Sequence, residues 1–144
     1  MLIMIISFWG YTFFSILANI FVFFNEPISQ ILLTISSLFL MFLLFLFGRK
    51  IGKKFNVNFM WIFYIALFLA LFSLLPLYLT SSYFTYFVAQ FMSFLFILLY
   101  LKVILSIIKS KKSIFKFIVF SILTLGIYSY FFFYDIIKEI RKLN

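Results

Sequence analysis

Few side chains in this chain can carry a proton, a metal or an electron. The only carboxylates are Glu26, Asp135 and Glu139, and there is no His and no Cys. Without Cys there is no disulfide, thiol catalysis or iron–sulfur ligation. Without His the commonest metal and haem ligand and the usual proton shuttle are missing. A Ser nucleophile needs a general base, and neither His nor an intramembrane Lys lies near one. An aspartyl intramembrane protease needs two aspartates together, and Asp135 is the only Asp. Phosphoryl transfer uses acids to hold metal, and no acidic cluster occurs. The expectation is a protein with no catalytic, cofactor-binding or metal-binding residue.

The elements that must position any site are apolar. Of 144 residues, 67% are hydrophobic, 26 are Phe, and 10% are charged, against about 25% in a soluble domain. A water-soluble globule could not cover such a surplus, so the fold class expected is all-α, a polytopic membrane protein. Gly, Ala, Arg and Pro are scarce while Phe, Ile, Lys, Tyr, Asn and Leu dominate, which points to an AT-rich genome. The Phe excess then reads as codon economy at apolar positions. The formal charge is +9 at pH 7. Its Lys and Arg sit in short loops between apolar runs, as topology signals and partners for anionic lipid headgroups rather than for nucleic acid.

Five membrane segments are expected in a single transmembrane domain, 1–144: 2–24, 28–47, 59–79, 83–104 and 114–134, with 135–144 as a short amphipathic tail. The first run has no basic region before it and reads as a retained span rather than a cleaved signal. Asn25-Glu26-Pro27 stops it and starts the next helix. Pro27 suits a first turn and Glu26 a positive helix end. So short a connection makes segments one and two an antiparallel hairpin. In segment three, Trp61, Tyr64 and Tyr78 are expected at the interfaces, and Pro76 to kink or end the helix. Thr80-Ser81-Ser82 reads as a polar turn.

Arg49, Lys50, Lys53 and Lys54 form one basic loop and Lys109, Lys111, Lys112 and Lys116 another, with Lys102 snorkelling nearby. These loops lie two spans apart, so one orientation puts both inside, with the N-terminus inside too. The loops at 25–30 and 80–83 carry no Lys or Arg and go outside. The tail conflicts with this scheme. If segment five crosses, Lys138, Arg141 and Lys142 lie outside. If the chain breaks near Thr124-Leu125-Gly126, pieces 114–124 and 127–142 form a re-entrant hairpin and the tail returns inside. The length of the apolar run favours crossing, and Gly126 with basic residues at both ends favours the hairpin. The balance falls on the crossing.

Asn19 and Gln90 are the deepest polar residues, at comparable depth. A hydrogen bond between them would fix helix packing, the favoured reading; the alternative is a polar outward-facing pocket. Ser and Thr pairs at i, i+3, namely Thr12 with Ser15, Thr34 with Ser37 and Ser121 with Thr124, put small polar groups on one helix face for close approach. No ionisable group lies near the centre of a segment, which disfavours a proton pump, an ion-coupled carrier or a voltage sensor. Asp135 and Glu139 stand at i, i+4 in the tail, on a helix read as amphipathic and solvated, with a partner-docking helix as the alternative.

The stretch Ile122-Leu123-Thr124-Leu125-Gly126-Ile127-Tyr128-Ser129-Tyr130-Phe131-Phe132-Phe133-Tyr134, followed by Lys138-Glu139-Ile140, resembles an uncharacterised family of small bacterial membrane proteins. Thr124, Gly126 and Tyr128 carry its Thr-Leu-Gly-Ile-Tyr motif, and Phe stands where the family's aromatic patch has Trp. The resemblance implies a membrane location. A fainter one is to the sixth membrane subunit of respiratory NADH dehydrogenase, through Asn25-Glu26-Pro27 and Tyr64-Ile65-Ala66 with Leu71-Phe72. The third-span glycine of that subunit is absent. This second likeness implies a role in a proton-pumping complex without a bound cofactor.

The function expected is therefore non-enzymatic: contacts with membrane lipids and with partner membrane proteins or further copies of the chain. The location is the cytoplasmic membrane of a low-GC bacterium. The alternatives are an organelle-encoded subunit of a respiratory or ATP-synthesising complex in the mitochondrial inner membrane and, more weakly, an oligomeric pore.

Overall fold

A computed structural model describes residues 1–73 and 83–143. These form six helices and no strand. They are α1 (Leu2–Phe21), α2 (Glu26–Phe55), α3 (Met60–Phe72), α4 (Tyr83–Ile107), α5 (Ile114–Leu123) and α6 (Ile127–Lys142). Among them, α1, α2 and α4 are long and apolar enough to cross a membrane. The rest of the expected third segment, with Pro76, Tyr78 and the Thr80-Ser81-Ser82 turn, lies outside the described residues.

Two compact units divide the chain, residues 1–47 with 115–144, and residues 48–114. In the first, α1 and the start of α2 form the expected antiparallel hairpin. Asn25 Oδ1 accepts from the Ile28 amide at 3.2 Å, an N-terminal cap for α2. Ser29 Oγ donates to Ala18 O (2.7 Å) and Ser36 Oγ to Tyr11 O (3.0 Å). Phe39 stacks on Phe14 (5.7 Å between centroids) over Gly10, where a Cβ would lie 2.7 Å from the Phe39 ring. Falling residue numbers on α1 thus meet rising ones on α2.

The expected Ser/Thr faces do not all pack. Thr34 and Ser37 are exposed and donate to Gln30 O and Leu33 O of their own helix. Ser29 and Ser36, buried and unremarked by spacing, make the bonds between helices. A helix that is apolar all round carries no periodicity to show which face turns inward.

α2 also runs eight residues past the expected end at Phe47, so Arg49, Lys50, Lys53 and Lys54 form its last turns rather than a loop. Lys and Arg are good helix formers, and cations are favourable at a helix C-terminus. The helix stops where Asn56 adopts a left-handed φ of 53° and the Val57 amide reaches back to Gly52 O (3.2 Å).

In the second unit α3 and α4 are antiparallel. Ser93 Oγ donates to Ala66 O at 2.7 Å, and the Tyr100 ring sits between Phe59 and Phe63, 5.6 and 5.5 Å away. The Tyr100 hydroxyl donates to Met60 Sδ at 3.7 Å.

Candidate functional site

The most distinctive local structure is the turn between α5 and α6, at the Thr124-Leu125-Gly126 break that the sequence offers as the alternative to an unbroken segment 114–134. The run is two helices. α5 ends in a Schellman motif: the Gly126 amide donates to Ser121 O (2.7 Å) and the Leu125 amide to Ile122 O (3.3 Å). Both turn residues have positive φ, Leu125 at 53° and Gly126 at 91°. Nothing lies within 4 Å of a Cβ built on Gly126, so its glycine serves the backbone conformation rather than close packing. Thr124 Oγ1 donates to Phe120 O (2.6 Å) and accepts from the Tyr128 amide (2.9 Å), joining the end of one helix to the start of the next. The Thr124, Gly126 and Tyr128 motif is thus a reversal of direction. Its backbone groups are paired locally, which a turn in an apolar environment requires.

The two arms then lie side by side. Phe117 meets Phe132 at 4.2 Å between ring centroids, and Phe120 meets Tyr128 at 5.3 Å. These pairs are nearly symmetric about the turn, as in an antiparallel helical hairpin. Leu125 at its tip is 91% exposed.

α6 docks on α1 through aromatic rings and hydroxyls. Tyr11 Oη and Ser129 Oγ share a hydrogen bond at 3.2 Å, and Ser15 Oγ and Tyr130 Oη one at 2.7 Å. Phe8 lies 5.8 Å from Tyr134, and Tyr11 6.0 Å from Phe133. Ser129 Oγ also donates to Gly126 O (2.5 Å), tying this seam to the turn. Contacts on α6 descend in number as those on α1 ascend, so these two helices are antiparallel as well.

Two apolar clefts flank Tyr130. One, of about 390 Å³, is lined by Ile16, Asn19, Ile20, Phe23, Phe24, Leu125 and Ile127 with Tyr130. The other, of about 380 Å³, is lined by Phe8, Trp9, Thr12, Ile127, Phe131 and Tyr134 with Tyr130. α6 itself has two faces. Phe132, Phe133, Ile136, Ile137 and Ile140 are buried, while Ile127, Phe131, Tyr134, Lys138, Arg141 and Lys142 form an exposed stripe.

The residues singled out in the sequence fall as follows. Asn19 is exposed in the first cleft. Gln90, expected to bond Asn19, gives its Nε2 to Ser73 Oγ (2.6 Å) in the other unit, across the α3–α4 pair. Lys109 sits at the left-handed end of α4 with φ 53°, Lys111 and Lys112 follow in the loop, and Lys116 is in the first turn of α5. Tyr11, Ser129 and Tyr130 escaped the sequence reading as a group. The spacing of Tyr11 and Ser15, four residues apart, was the available signal.

Helices of this length and apolarity define a multi-pass, α-helical integral membrane protein. Residues 112–144 match a family model described as a domain of unknown function, DUF4234. The match spans α5, the turn and α6, that is, the hairpin. No curated protein and no solved structure matches the chain.

Proposed function

We propose that the protein is a non-enzymatic, multi-pass membrane protein that works through contacts with lipids and partner membrane proteins, with the α5–α6 hairpin as its contact-making module. The carrying observation is the use made of the hydroxyls at the candidate site. Tyr11, Ser15, Ser129 and Tyr130 bond one another across the α1–α6 seam, holding a hairpin in place rather than activating a nucleophile. The family match coincides with this hairpin. The motif resemblance in the sequence falls on its turn.

The N-terminus lies inside, α1, α2, the segment containing α3, and α4 cross, and the hairpin re-enters from the inner side. Support comes from the antiparallel packing of α6 on α1, which puts Lys142 at the same end of that pair as Met1. α5 has ten residues, about 15 Å of helix, short of a hydrocarbon core of about 30 Å. This topology gathers the basic segments 49–54, 109–116 and 138–142 on one side, in keeping with the positive-inside rule. It replaces the crossing favoured by apolar length alone.

The chain lacks Cys, so a single Asn144→Cys variant is a clean reporter. A membrane-impermeant maleimide should label it only after the inner face is opened. Labelling from outside overturns the re-entrant hairpin. Native electrophoresis of gently solubilised membranes tests the rest. Migration as a small oligomer is expected, whereas migration inside a far larger complex favours the respiratory-subunit reading.

A further inference from the structure

We infer that the cleft between α1 and α6 beside Trp9 is a binding site for one anionic phospholipid. Its acyl chain would lie against Trp9 and Phe131 and its phosphate would meet Lys138. The inference rests on the membrane-embedded reading above and assigns that surface a ligand. Ile127, Phe131, Tyr134 and Lys138 are spaced i, i+4, i+7 and i+11, one exposed face of α6. That face changes from apolar to cationic along its length, as a phospholipid changes from chain to phosphate. Lys138 Nζ stands 4.5 Å from the centroid of the Tyr134 ring, and Tyr134 is part of the cleft wall. The cation is therefore held at the cleft mouth rather than free in the headgroup layer. Asp135, three residues before Lys138, and Glu139 beside it are half-buried along the edge of this face, so the fully exposed charge on the stripe is cationic. An uncharged or zwitterionic lipid would fill the cleft equally well but would gain little from Lys138. The charge of the stripe therefore commits the site to an anionic headgroup.

Trp9 is the reporter. Trp9 and Trp61 are the two tryptophans, so Trp61→Phe leaves Trp9 as the sole tryptophan, in the cleft and excitable at wavelengths where tyrosine does not absorb. The full chain carrying this change is reconstituted in vesicles in which either phosphatidylglycerol or phosphatidylcholine with brominated chains is titrated. Brominated phosphatidylglycerol should half-quench Trp9 at about fivefold lower mole fraction than brominated phosphatidylcholine, the preference expected of one surface cation. Lys138→Arg should keep that preference and Lys138→Gln should lose it. Equal quenching by the two lipids, or an undiminished preference in Lys138→Gln, overturns the lipid site while leaving the membrane reading intact. No quenching by either lipid overturns both, because Trp9 would then face protein or water.

Discussion

Replacing Gly48 with Ala tests the packing of the α3–α4 unit most directly. Gly48 is in α2, and a Cβ built there would collide with the Tyr100 hydroxyl and Met60 Sδ and lie 2.9 Å from Tyr100 Cζ. Met60 can swing aside, being long and unbranched. Tyr100 cannot: it is fully buried, with Phe59 and Phe63 against its ring. Overpacking of this kind costs about 1–3 kcal/mol. Gly→Ala within a helix returns about 1 kcal/mol. The net expectation is a loss of about 1 kcal/mol, read as a fall in Tm of roughly 2–4 °C by tryptophan fluorescence in micelles. Tyr100→Phe removes the nearest atom at the expense of the hydroxyl's weak hydrogen bond to Met60 Sδ and its contact with the Gly48 backbone. In that background Gly48→Ala should be neutral or stabilising, a coupling of about 1 kcal/mol in the double-mutant cycle. If Gly48→Ala stabilises both backgrounds equally, the close approach of Gly48 to Tyr100 is absent and the reasoning fails.

Three further outcomes are expected in the same assay. Gly126→Ala forces a Cβ into a φ of 91° and should cost about 1–2 kcal/mol, with Gly126→Asn milder; equal tolerance of both would refute the left-handed turn. Ser15→Ala and Tyr130→Phe should couple by about 0.6–1.7 kcal/mol in a double-mutant cycle, the range for hydrogen bonds between membrane helices, and additivity would deny that they are bonded. Ser29→Ala and Ser36→Ala should destabilise by about 0.5–1.5 kcal/mol each while Ser37→Ala does not, since only the first two bond across the α1–α2 pair.

By itself the sequence determined the solvent and the backbone's response to it. Long runs without charge must form helices in lipid, because every peptide group needs a partner within the segment. Asn25-Glu26-Pro27 determined the first reversal through local chemistry: a cap, a compatible Pro and an acid at a helix start. The scarcity of titratable groups set the range of chemistry. Which helix face turns inward was not legible, since a lipid-facing Leu and a buried Leu are equally apolar. Thr34 and Ser37 could therefore not be told from Ser29 and Ser36. The reversal at Leu125-Gly126 was legible only as a possibility. A single glycine in an apolar run is compatible with a continuous helix, and the hydrogen bonds from Gly126 to Ser121 and from Tyr128 to Thr124 exist only once the chain has turned. Tertiary structure decided that turn by giving both arms something to pack on: Phe117 against Phe132, and the Tyr11 and Ser15 hydroxyls against Ser129 and Tyr130. It also split α6 into a buried face and an apolar-to-cationic stripe. That division depends on what lies beside the helix, not on its own sequence.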